Sequence, residues 1–275
     1  MAVERSRTPL LVPLENGSPL RRGVYLLPNL LTTGGLFAGF YSVVASLHGE
    51  FQVAAVAILV ANLFDALDGR VARLTRTTTR FGIEYDSLAD LVAFGVAPAM
   101  LIYRWALEPW GSWGWLASAL YLTCAALRLA RFNVQFDSVE KRHFIGLPTP
   151  AAAEAIAATV LMFYRFGAYG PTDKHLLLLL LTYGLAGLMV STLPYFSFKE
   201  TDLLRRQPFW TLLVAILLLK LLVAEPQIFL FVGFYSYALS GPARLLWVLW
   251  RRSTSRRHPS SVALSSPSAT PPNQS

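Results

Sequence analysis

Long runs without a single Lys, Arg, Asp or Glu constrain this chain more than any other feature. Residues 23–49, 109–127, 175–198 and 226–243 carry no such charge, and a helix that crosses a bilayer needs roughly 17–25 predominantly apolar residues. Shorter charge-free runs occupy 51–64, 91–103, 155–164 and 207–219. Each of these spans only if its helix takes in neighbouring polar residues. The pattern predicts eight helices, near 28–48, 51–74, 83–105, 112–133, 150–168, 175–196, 207–223 and 228–250. Only 15% of the chain is charged and 54% is hydrophobic, whereas an ordinary soluble domain is about 25% charged. These values exclude extensive disorder and argue against a water-soluble enzyme. A single cysteine, Cys124, excludes a disulfide framework and a cysteine-rich zinc site. The expected fold is therefore all-α, a polytopic membrane helical bundle.

The basic residues fix its orientation. Net charge is +8 and the pI about 9.8, values that by themselves would suit nucleic acid. With a cytosolic N-terminus, however, all but Arg104, Arg165, Lys174 and Lys220 of the 24 Lys and Arg fall on one side. That asymmetry marks the cytosolic side, so both termini are expected there. The charge is a topology mark suited to anionic headgroups, and no nucleic-acid partner is expected. Trp110, Trp113 and Trp115 cluster at an outer helix end, as an interfacial aromatic belt would. Residues 1–24 read as a cytosolic segment, and 251–275, rich in Ser, Pro and Arg, as a disordered cytosolic tail.

Four aspartates do not belong in such a chain without a task. Fourteen uncharged residues, 51–64, precede Asp65, and at about 1.5 Å per residue they climb roughly 21 Å of a hydrocarbon core about 30 Å thick. Thirteen uncharged residues, 91–103, follow Asp90. The two arms run in opposite directions, so both acidic pairs reach a similar depth. Asp65 and Asp68 are three apart, and Asp86 and Asp90 four apart, which puts each pair on one helix face. The segment from Gly69 to Gly82 is expected as a cytosolic turn carrying Arg70, Arg73, Arg76 and Arg80. Four facing carboxylates repel one another in a low dielectric. Two hard divalent cations, Mg²⁺ or Mn²⁺, would offset them and leave positions open for phosphate. Interfacial salt bridges to the arginines are the plain alternative. A cation pathway also fits the acids, but it leaves the glycines and the Ala72–Arg73 step unexplained.

Read together, these residues resemble the CDP-alcohol phosphatidyltransferase motif, D-x-x-D-G-x-x-A-R, eight residues, G-x-x-x-D-x-x-x-D. Asp65, Asp68, Gly69, Ala72, Arg73, Gly82, Asp86 and Asp90 meet it without departure. LPNLLTTGGLFAGF (27–40), SLADLVAFGVAPA (87–99), ALRLARFNV (126–134) and FIGLPTPAAA (144–153) are similar to the bacterial phosphatidylserine synthase branch. The resemblance covers roughly residues 25–200. It implies a six-helix catalytic core there, leaving 201–250 as two additional transmembrane helices.

What the resemblance implies is transfer of the phosphatidyl group from CDP-diacylglycerol to the hydroxyl of L-serine, giving phosphatidylserine and CMP. It assigns Asp65, Asp68, Asp86 and Asp90 to two metal ions, with Asp90 also as the base. Asn29, Thr32, Gly69, Arg73 and Thr79 would contact CDP-diacylglycerol, Asn29 alternatively capping a helix after Pro28. Arg128, Arg131 and Asn133 would hold serine, the two arginines alternatively serving as topology anchors. Glu154, one turn into the fifth helix, either meets the serine ammonium or is simply favoured by the helix dipole. A homodimer in the bacterial cytoplasmic membrane, its active site facing the cytosol, completes the expectation. Another acceptor, such as glycerol 3-phosphate or an inositol compound, stays open. His48, His143, His175 and His258 form no H-x-K-x4-D pattern, which argues against the unrelated phospholipase-D-like enzymes.

Overall fold

The computed structural model describes residues 19–75, 79–136, 144–195 and 223–255, together with residues 213, 216, 220 and 221. These residues are helical apart from one two-residue pairing and the short segments that connect the elements. The helices are α1 (Pro19–Leu47), α2 (Phe51–Thr75), α3 (Arg80–Trp110), α4 (Ser112–Phe136), α5 (Thr149–Arg165), α6 (Leu176–Val190) and α7 (Pro226–Ser255). Among the described residues, three segments are long and apolar enough to cross a membrane: Leu27–Leu47, Phe51–Thr75 and Arg80–Trp110. The chain is accordingly a helical membrane protein. The expected helix at 207–223 and the expected tail beyond 255 lie almost wholly outside the described residues.

Helices α1 and α2 form the most extensive pairing, joined by a tight turn at Gly49. Gly49 has φ +80°, a left-handed value that a residue with Cβ adopts at a cost. Across the pair, Ser42 Oγ donates to the carbonyl of Ala54 at 2.9 Å. Gly39 lets α1 meet α3: a Cβ there would lie 2.7 Å from Cα of Ala93. Close backbone approach through small residues is how helices associate where lipid supplies no hydrophobic drive. Helix α5 continues the theme, with every residue from Ala151 to Leu161 buried.

Two expectations about local structure are corrected. Pro28 lies inside α1, which begins at Pro19, so Asn29 is not a helix cap. Pro28 lies nine residues inside the helix, and in the turn after it Thr33 Oγ1 donates to the carbonyl of Asn29 at 2.7 Å. The span 69–82 is not a turn throughout. Helix α2 runs on to Thr75, carrying Gly69, Arg70 and Arg73 on its last turns, and α3 opens at Arg80. The sequence RVARLT contains no proline and continues the helix readily. Thr79 caps α3 by accepting from the Gly82 N–H at 3.0 Å.

Helix α3 contains two π-helical stretches, Leu91–Val96 and Tyr103–Leu107. The first follows Asp90 directly. The Tyr121 hydroxyl on α4 donates to the carbonyl of Phe94 within it, at 3.2 Å. Such turns shift the register of side chains by one position and recur at functional sites. Between α4 and α5, Phe144–Ile145 (β1) pairs antiparallel with Pro194–Tyr195 (β2), Phe144 opposite Tyr195. Gly146 (φ +84°) makes the bend into α5, where a side chain would collide with the carbonyl of Met189.

Candidate active site

Helices α2 and α3 bring together the acids that the spacing placed on their faces. One carboxylate oxygen from each of Asp65, Asp68 and Asp86 lies within 4.8 Å of the others. Asp90 lines the same pocket, with Thr32 and Gly35 from α1 and Phe94 from the π-helical stretch. Among the described residues, none of the four aspartates is in an ion pair. The salt-bridge alternative therefore fails for the described arginines. The Arg73 guanidinium bears on Asp65 and Asp68 from a distance, without closing a pair. Three crowded carboxylates with no protein cation in contact form a donor set suited to a hard divalent ion.

Polar partners hold this cluster in place. Thr32 Oγ1 donates to Oδ2 of Asp68 at 2.7 Å. The Thr32 donor is thus committed to a cluster member. Gly69 sits beneath Arg73, whose Nη1 would be 3.4 Å from a Cβ at that position. Asn29 reaches the start of α3: its Oδ1 would be 3.4 Å from a Cβ on Gly82. Thr79 is committed to the cap described above. The residues expected at the donor side therefore converge on one end of the α1–α3 group.

Arg128 is half-buried on α4 and lies within electrostatic reach of Asp90. Its Nη1 donates to Oγ1 of Thr149 at 3.2 Å, while its Nε is buried without a partner. A guanidinium with unused donors beside the pocket suits an anionic ligand. Arg131 lies three residues further along α4, half-buried. Asn133 is engaged with α3: Ser87 Oγ donates to its Oδ1 at 3.1 Å, and its Nδ2 donates to Glu84 at 3.5 Å. The structure thus brings Arg128 to the acids and ties Asn133 to the turn of α3 before Asp90.

Several polar residues here were not singled out by sequence. Thr33 and Tyr85 share a 2.9 Å hydrogen bond between α1 and α3. Asn62 Nδ2 donates to Oε1 of Glu154, linking α2 to α5. Asn62 precedes Asp65 by three residues and Asp68 by six, so helical spacing alone marks it as a member of that face. Glu154 is 7% exposed, which answers the dipole reading: an acid placed only for the dipole would keep its carboxylate in water.

The comparisons with known proteins agree with this geometry. Residues 25–193 match the CDP-alcohol phosphatidyltransferase family. A CDP-diacylglycerol–serine O-phosphatidyltransferase of Helicobacter pylori is 36% identical over 230 residues, covering 82% of this chain and 93% of that protein. One of the same name from Bacillus subtilis is 34% identical over 174 residues, 63% of this chain and 92% of the relative. An archaetidylserine synthase of Methanothermobacter thermautotrophicus is 37% identical over 171 residues, 62% of this chain and 69% of the relative. The matched region contains the whole acidic cluster and its supporting helices, and the chain belongs to the CDP-alcohol phosphatidyltransferase family.

Proposed function

We propose that this chain transfers the phosphatidyl group of CDP-diacylglycerol to the hydroxyl of L-serine, giving phosphatidylserine and CMP. The observation that carries this reading is the cluster of Asp65, Asp68 and Asp86 within 4.8 Å, sharing its pocket with Asp90. The acceptor rests on the relatives: the archaeal name and the bacterial names differ in the lipid and agree on serine. Residues 25–200 form the six-helix catalytic unit, supported by the family match over 25–193. Residues 201–250 supply two further spans. The charge asymmetry supports a cytosol-facing site in the bacterial cytoplasmic membrane, and the family likeness implies a homodimer.

Asp65, Asp68, Asp86 and Asp90 would hold two divalent cations, Mg²⁺ or Mn²⁺. When bound, such ions neutralise a diphosphate and stabilise the departing CMP oxygen. The chain's own residues do the rest. Thr32 fixes the Asp68 carboxylate through its hydrogen bond. Arg73 offers a fork to the diphosphate from the last turn of α2, and Asn29, Gly69 and Thr79 shape the approach around it. Asp90 holds the serine hydroxyl and takes its proton. The serine oxygen bonds to the β-phosphorus as the bond from that phosphorus to the bridging oxygen breaks, and the bridging oxygen leaves with CMP. Arg128 receives the serine carboxylate through its spare donors, with Arg131 and Asn133 behind it.

The test is CMP release by the purified full chain with CDP-diacylglycerol and Mn²⁺ or Mg²⁺, offered serine, glycerol 3-phosphate or inositol. Release with serine alone, abolished by a chelator, is the expected result. Release only with another acceptor would keep the family and overturn the acceptor. No release from folded protein would return the cation pathway to consideration.

A further inference from the structure

The mechanism above leaves one buried acid without a task. Glu154 lies on α5, 7% exposed, among alanines that are themselves buried. Asn62 donates to its Oε1. Among the described residues no side chain donates to Oε2, and no Lys or Arg pairs with the carboxylate. Glu154 also acts electrostatically on Asp65, across the pocket wall from α2. A buried carboxylate normally sits against a cation, because solvation lost on burial has to be replaced. Among the described residues its surroundings supply an amide and a neighbouring negative charge, which leaves the carboxylate open to a cationic ligand.

Arg128 presents the complementary case. It bears on Asp90, and its buried Nε lacks a partner. Asp65 and Asp90 line one pocket, and Glu154 and Arg128, of opposite charge, each act electrostatically on one of them. Both are anchored to α5, Arg128 through Thr149 and Glu154 directly, five residues later.

We propose that Glu154, held by Asn62, receives the ammonium group of the acceptor, and so selects an α-amino acid over acceptors that lack an amine. This deepens the reading of the chain as a serine phosphatidyltransferase and rests on it. Glu154 is a binding and specificity residue here, and takes no part in moving the hydroxyl proton.

The experiment uses the full chain with CDP-diacylglycerol and Mn²⁺, and compares L-serine with 3-hydroxypropionate, which keeps the hydroxyl and carboxylate and lacks the amine. The unmodified protein is expected to prefer serine in kcat/KM by about 10- to 100-fold, the range for one charge-assisted hydrogen bond. Glu154→Gln keeps an acceptor for Asn62 and removes the charge. It should raise the serine KM by a similar factor and erase most of the preference. Its CDP-diacylglycerol KM and Mn²⁺ half-activation should stay within about twofold. A serine KM unchanged in folded Glu154→Gln would overturn the inference, as would a shift in Mn²⁺ half-activation instead, which would place Glu154 with the metal. Should the variant not fold, the unmodified protein still decides: equal use of both acceptors overturns the proposal. Failure of the unmodified protein to release CMP with serine would overturn the parent reading instead.

Discussion

Helices α2 and α3 differ from α6 in what their side chains are asked to do, although all three are apolar. The first two carry four carboxylates at matched depth and pack against α1 so closely that Gly39 sits under Ala93. Helix α6 opens on six consecutive leucines, and a Cβ on Gly184 or Gly187 would meet nothing within 4 Å. Leu177 and Leu180 on α6 are 73% and 57% exposed, the face a lipid-contacting helix presents. The same amino acid thus has opposite meanings in the two regions. In one, glycine permits contact between backbones, and in the other it fills space that any small residue would fill. Function concentrates where apolar helices are interrupted at fixed spacing, and it is absent where hydropathy alone specifies the element.

The sharpest way to break this comparison is at the cluster itself. Asp86→Asn removes one of three crowded ligands and should lower kcat by about 10³-fold or more, since metal assistance is worth several kcal/mol. Asp90→Asn should match it in turnover while CDP-diacylglycerol binding largely survives. An Asp90→Asn enzyme of full activity would remove its assignment as base. Next in size is Arg128→Lys, which keeps the charge and loses the planar fork. It should raise the serine KM about tenfold with little change toward the nucleotide. Arg131→Ala should move the same constant less, a few-fold, and an unchanged value would make that residue a topology anchor only.

Smaller effects sharpen the packing half of the comparison. Gly39→Ala forces a methyl to 2.7 Å from Cα of Ala93 and should cost about 1–3 kcal/mol of stability, read as a lower melting temperature. The same change at Gly184 meets open space. It should be neutral or stabilising by up to about 1 kcal/mol. Equal penalties at the two glycines would contradict the distinction drawn between the regions.

The acidic cluster was legible in the sequence because helical spacing converts directly into a shared face. Asp65 with Asp68, and Asp86 with Asp90, needed only the 3.6-residue period and the opposite direction of their helices. The end of α2 was legible as well: the expected helix over 51–74 stops one residue short of Thr75, and only the parallel reading of Gly69 to Gly82 as a turn gives way, because α2 carries Gly69 and Arg73. The π-helical stretch after Asp90 leaves no mark in composition. Its Phe94 carbonyl accepts from the hydroxyl of Tyr121, 27 residues further on. Glu154 was seen and left with two readings, because its depth depends on how α5 packs against α2 and α7. The pairing of Phe144–Ile145 with Pro194–Tyr195, which sets the entry to α5, is likewise a long-range contact.

The most direct measurement of the central claim is incorporation of labelled serine into phosphatidylserine by the full chain and by Asp86→Asn, each stripped of metal and then resupplied with Mn²⁺. The account predicts label in lipid, with one CMP per phosphatidylserine, only for the unmodified protein with metal restored. Label incorporated equally without metal, or by Asp86→Asn at the unmodified rate, would contradict the assignment of Asp65, Asp68, Asp86 and Asp90 as the catalytic centre.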